Sequence, residues 1–147
     1  MKIFDCTTFF DEKMMMDIRF NVLNKFVSKF IVVESIFSHS GKKKKLNFNI
    51  NDYPKFKDKI NYIVIDKEPE NIDKKNSKRM NSIKRIEQSY EYMSKGLGEI
   101  NDDDLVMISD NDEIPNFESV DINKINNNFL VFEQLFIYYK FNLLYDK

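Results

Sequence analysis

The chain has 147 residues, a net charge of -1, 42% hydrophobic residues and 14 Phe with 7 Tyr, so it can bury a core and lacks the strongly basic balance of a general nucleic-acid binder. One Cys and one His leave no material for an internal disulfide, a zinc-ligand set or a Cys–His nucleophile pair. No apolar run nears the roughly 20 residues of a membrane span, and the N-terminus has no signal-peptide core. The expectation is one reduced, cytoplasmic domain over residues 1–147 with no transmembrane segment.

Residues 3–10 are β-branched and aromatic and predict a strand. Asp11 then suits the N-cap of a helix whose apolar face would be Met15, Ile18, Val22 and Phe26. Cys6 reads as core, and Met14, Met15 and Met16 as helix packing rather than ligands. Residues 29–36 form a second strand, apolar on both faces until Glu34, as a central parallel strand is. A polar loop with four lysines follows at 38–45, and His39 within it reads as a surface residue.

Residues 61–66 repeat the pattern of an apolar run ending in an acid, and 68–78 read as a charged, mobile loop. Met80, Ile83, Ile86 or Glu87, Tyr90, Met93 and Leu97 trace a second helical stripe, with Gly96 as its C-terminal stop. Residues 105–109 are the fourth strand. This alternation predicts an α/β fold, a mostly parallel sheet with helices on both faces. Residues 129–145 are densely aromatic and fit either a helix or a strand; ending on such a surface suggests that something packs beyond it.

Residues 105–115, Leu-Val-Met-Ile-Ser-Asp-Asn-Asp-Glu-Ile-Pro, carry the most chemistry. A buried-strand pattern runs into three carboxylates, and Pro115 ends any ladder because it lacks the N–H. Acids just past a parallel strand lie where open α/β sheets bind ligands. Asp110 and Asp112, one residue apart, can face the same hard divalent cation, Mg²⁺ or Mn²⁺, which would hold a nucleotide's phosphates. An EF-hand is excluded because Pro115 stands where that loop requires Gly. The plain alternative is a solvated acidic turn.

Several segments, in order, resemble glycosyltransferase family 17, the N-acetylglucosaminyltransferase family that includes the enzyme adding bisecting GlcNAc to N-glycans. They are Asp5-Cys6, Phe9-Phe10, Glu12, Ile18-Arg19, Phe30-Ile31-Val32-Val33-Glu34, then 37–42 (Phe-Ser-His-Ser-Gly-Lys) with Lys44 and Leu46. Lys95-Gly96-Leu97, Asp102-Asp103-Asp104 and 109–115 complete the series. The resemblance implies a GT-A-like fold, a UDP-GlcNAc donor, a glycan acceptor and inversion at the anomeric carbon. It departs at Tyr90-Glu91, where many members carry an Arg-Asn pair. Members also run beyond this length, so the domain is expected to be incomplete on its C-terminal, acceptor side.

Under that resemblance the metal ligands are Asp110 and Asp112, and Asp5, Thr7, Lys42, Lys44 and Asp110 contact the donor. Asp5 and Thr7-Thr8 sit at the first strand's end, where many such transferases hold the base; Lys42 and Lys44, beside Gly41, can reach phosphate oxygens. Glu113 and Glu34 are the candidates for the base that removes the acceptor's proton. Glu34 is equally a structural partner for Arg19. Two rival functions remain at this level. One is a degenerate or truncated member that binds nucleotide-sugar or a partner without turnover. The other is a phosphohydrolase using Asp110 as nucleophile, although those enzymes place the motif after their first strand.

Overall fold

The computed structural model describes residues 1–73, 75, 77–124, 129–135 and 137, without the side chain of Asn123. Four strands, β1 (Ile3–Thr8), β2 (Lys29–Ser35), β3 (Ile60–Ile65) and β4 (Leu105–Ile108), form one sheet in the order β3-β2-β1-β4. Every pairing is parallel. Helix α1 (Lys13–Leu23) links β1 to β2, and α2 (Lys78–Leu97) links β3 to β4. This is the α/β architecture expected from the alternation of elements, with helices on both faces.

The direction of travel explains which face each connection covers. β1 to β2 and β2 to β3 step the same way across the sheet, whereas β3 to β4 returns past both to the far side of β1. Because parallel crossovers are right-handed, reversing direction puts the connection on the opposite face. α1 and the segment after β2 therefore share one layer, in which Met16, Phe20 and Leu23 pack with Phe48, Tyr53 and Phe56 on Phe30 and Val32. α2 lies on the other, where Met93 meets Cys6, Ile31, Val33 and Ile65. The two faces of β2 alternate between these cores, which is why its sequence is apolar throughout.

The first core centres on Phe20, whose ring lies 4.7 Å from Phe30, 5.1 Å from Tyr53 and 5.5 Å from Phe56. Burying such a side chain contributes roughly 1.5–3 kcal/mol. Among the described residues no helix is long and apolar enough to cross a membrane.

Four local expectations change. The buried face of α1 is Met16, Arg19, Phe20 and Leu23, while Ile18 and Val22 are exposed. The apolar pattern missed this face because its centre is an arginine. Asp11 is not the cap: Glu12 holds that position without a capping side-chain bond, its carboxylate turned back to the N–H groups of Phe10 and Asp11. Gly96 does not stop α2, which ends at Leu97 with Gly98 at φ +68°. Gly96 instead lies inside the helix against the sheet, where a Cβ would come within 2.6 Å of Ile31 Cγ2. Finally, α2 turns Met80, Ile83 and Tyr90 outward and buries Met93 and Gly96. The expectation for residues 129–145 lies largely outside the described residues; within them Phe132 packs edge-on against Phe117 at 5.4 Å.

Candidate active site

Parallel strands deliver their following loops to one sheet edge, and the order places β1 between β2 and β4, next to the reversal in strand order. A cavity of about 640 Å³ opens there. Thr8, Phe9, Phe10 and Glu12 line it after β1, Ser38, His39, Ser40 and Lys44 after β2, and Asp110, Asn111 and Asp112 after β4. Arg85 and Ser89 close it from α2.

The acidic turn is held from beneath by Arg19, which is fully buried. Its Nε and Nη2 donate to Asp5 at 2.8 and 2.6 Å, and Nη2 also reaches Ser109 Oγ at 2.7 Å. Nη1 donates to the carbonyls of Asp110, Asn111 and Glu113 at 2.8, 3.3 and 3.1 Å. A guanidinium supplies a rigid fan of donors, so one side chain reaches three carbonyls of a tight turn, that of Asn111 having no other donor among the described residues. The Asp110 N–H donates to Glu113 Oε2 at 3.2 Å, and the Glu113 N–H to the Asp110 carbonyl at 3.1 Å.

Asn111 ties this turn to the loop after β1, its amide donating to Glu12 Oε2 at 2.8 Å. Burial pushes the Glu12 carboxyl up, but hydrogen bonds from its own N–H, from those of Phe10 and Asp11 and from Asn111 outweigh it and hold its pKa below the ordinary value. With their carbonyls taken, Asp110 and Asp112 keep carboxylates that meet no protein donor among the described residues.

The site residues expected from the sequence divide into two sets. Asp110, Asp112 and Lys44 line the cavity; Asp5, Thr7, Glu34, Lys42 and Glu113 do not. Asp5 is spent on Arg19, and Thr7 is buried on the same side of β1, so Thr8 stands at the cavity in its place. Glu34 is buried and accepts from the Asn47 and Phe48 N–H groups at 2.9 and 3.0 Å, from Tyr62 Oη at 2.8 Å and from Lys44 Nζ. Both its oxygens are occupied, and its partner is Lys44 rather than Arg19. Burial, then the hydrogen bond and charge of Glu34, drives the Tyr62 pKa upward. Lys42 and Glu113 are exposed.

Sequence reasoning placed Glu12 and Asn111 within the resemblance without giving them a site role, and missed Arg85 and Ser89. Arg85 and Ser89 are four residues apart, and Met93 and Gly96 continue the same side of α2 toward the sheet. A glycine inside a long helix was the one available signal that this polar side, not the Met80–Tyr90 stripe, faces inward. His39, expected at the surface, is exposed but stands at the cavity rim.

Among the described residues no three His, Cys, Asp or Glu side chains are grouped to hold a metal by themselves. The uncommitted pair Asp110 and Asp112 still fits a hard cation of the kind that completes its shell with substrate phosphates and water. A sequence model of an entire family, glycosyltransferase family 17, matches residues 1–146. No curated protein and no solved structure matches the chain.

Proposed function

The chain belongs to glycosyltransferase family 17, and on that premise we propose that it transfers N-acetylglucosamine, or a related sugar, from a UDP-sugar to a glycan hydroxyl with inversion. The observation that carries this reading is the pair of carboxylates, Asp110 and Asp112, that meet no protein donor among the described residues, on a cavity at the carboxyl edge of a parallel sheet. Asp110 and Asp112 would hold a Mg²⁺ or Mn²⁺ ion, and such an ion supplies charge compensation for a diphosphate leaving group.

The chain's own residues account for the rest. Arg19 presets the turn, so the carboxylates need little reorganisation when substrate arrives. In an inverting transfer the acceptor oxygen forms its bond to the anomeric carbon as the carbon–phosphate oxygen bond breaks on the opposite face. The acceptor's proton passes to a carboxylate. Of the two candidates Glu34 has all of its capacity committed, and Glu113 is exposed but does not line the cavity, so neither stands at the cavity as the base.

Calorimetry with UDP-GlcNAc tests the reading. Binding is expected with Mn²⁺, and is expected to vanish in EDTA and in an Asp110→Ala/Asp112→Ala variant that melts like the parent. Binding that persists in both would overturn the assignment of the two carboxylates. No binding by the folded parent would overturn the donor site itself.

A further inference from the structure

Two cations stand at the cavity with Asp110 and Asp112, Lys44 and Arg85, and their surroundings differ. Lys44 neutralises the buried Glu34 and rests over the Phe10 ring at 5.0 Å. Withdrawing it would leave a buried carboxylate without its counter-charge, which is strongly unfavourable. Lys44 is therefore committed to the fold.

Arg85 is poised differently. Its Nε and Nη2 form a two-point pair with Glu68 at 2.7 and 2.9 Å, and Nη1 donates to the His39 carbonyl at 3.0 Å. These bonds use three of the five N–H donors of a guanidinium. The other two meet no acceptor among the described residues. Glu68 lies outside the cavity and accepts from nothing else among the described residues, so it orients the plane from behind. Gly41, at φ +83°, lies against the guanidinium, where a Cβ would stand 2.9 Å from Arg85 Cζ. The side chain is thus fixed on three sides, with its spare donors left for the cavity.

We propose that Arg85 is a binding residue for the donor's diphosphate, gripping its oxygens with the two spare N–H groups while Glu68 and the His39 carbonyl hold the guanidinium in place. A planar fork of donors suits phosphate oxygens, and charge-assisted bonds of this kind are the strong ones. The inference rests on the donor-site reading above, and it assigns to α2 a role that the acidic turn does not fill.

The test compares UDP with uridine, both in the presence of Mn²⁺, on the full chain and on Arg85→Met and Arg85→Lys. UDP is measured by calorimetry and the weaker uridine by ligand-observed NMR. Arg85→Met is expected to weaken UDP about 10-fold or more and to leave uridine within about twofold, with Arg85→Lys recovering part of the loss because it keeps the charge. Unchanged UDP affinity in Arg85→Met overturns the assignment while leaving the donor site standing. Equal losses for UDP and uridine, or no recovery with Arg85→Lys, mean that Arg85 only clamps the loop after β2, and also overturn it. If the parent chain binds no UDP, the donor-site reading falls and this inference falls with it.

Discussion

Arg19 and Asp5 form a two-point ion pair with both side chains out of solvent, and the same guanidinium holds three carbonyls of the acidic turn. A helix on one side of the sheet and a loop beyond its edge are thereby made one mechanical unit. The geometry of the turn at the cavity depends on a residue that does not line it.

Arg19→Met should be among the most damaging single changes. It strands a buried carboxylate and takes the donor from the Asn111 carbonyl, and breaking a buried pair costs about 3–5 kcal/mol. Adding Asp5→Leu should recover only part of this, because the Asn111 carbonyl stays without a donor and those of Asp110 and Glu113 each lose one. Chemical denaturation of both variants measures it; full recovery in the double variant would show that the turn does not depend on Arg19.

Glu34→Gln separates a structural carboxylate from a catalytic one. The amide keeps one accepting oxygen, so two of the four hydrogen bonds lose their acceptor and all four lose its charge, which should lower stability by about 2–3 kcal/mol. A variant that melts like the parent yet has lost turnover would return Glu34 to consideration as the base.

Gly96→Ala runs against helix propensity. Alanine in a helix interior is favoured over glycine by about 1 kcal/mol, but here the methyl would press on Ile31 and Ile63. Overpacking of this kind costs about 1–3 kcal/mol, so a net loss is expected. A higher melting temperature in the variant would show that α2 can move off the sheet.

Stability should fall at both ends of the pH range. The lowered Glu12 pKa means that its contribution is present above its ordinary value of 4.5 and is lost as pH drops through the folded value below it. Cys6 behaves in the opposite sense. Burial, reinforced by the Asp5 charge and only partly offset by Arg19, pushes its thiol from 9.0 to about 12. The unfolded thiol therefore ionises first, and stability declines as pH rises from about 9 towards 12. Denaturation midpoints across pH should show a plateau between the two limbs, and Glu12→Gln should flatten the acid one.

Pattern reading located the four strands and both helices, and burial on a parallel sheet explains the unbroken apolar run from Phe30 to Val33, whereas β4, read as a buried strand, lies at the sheet edge with Val106 and Ile108 exposed. It failed on helix faces. Arg19 counts as polar in any periodicity, yet it is buried because Asp5 lies opposite it, and that pairing joins residues 14 positions apart across a helix.

The sequence by itself determined the parallel α/β alternation and the acidic turn after β4, since both follow from local periodicity and residue type. Family membership was equally legible, in the order of short motifs along the chain. Tertiary structure alone decided which charges are spent and which are free. Asp5, Glu34 and Lys44 are consumed by partners from other elements, while among the described residues Asp110 and Asp112 keep open carboxylates and Arg85 keeps open donors. The physical reason is that a charge's role depends on what else competes for its hydrogen bonds, and those competitors are brought together only when the chain folds.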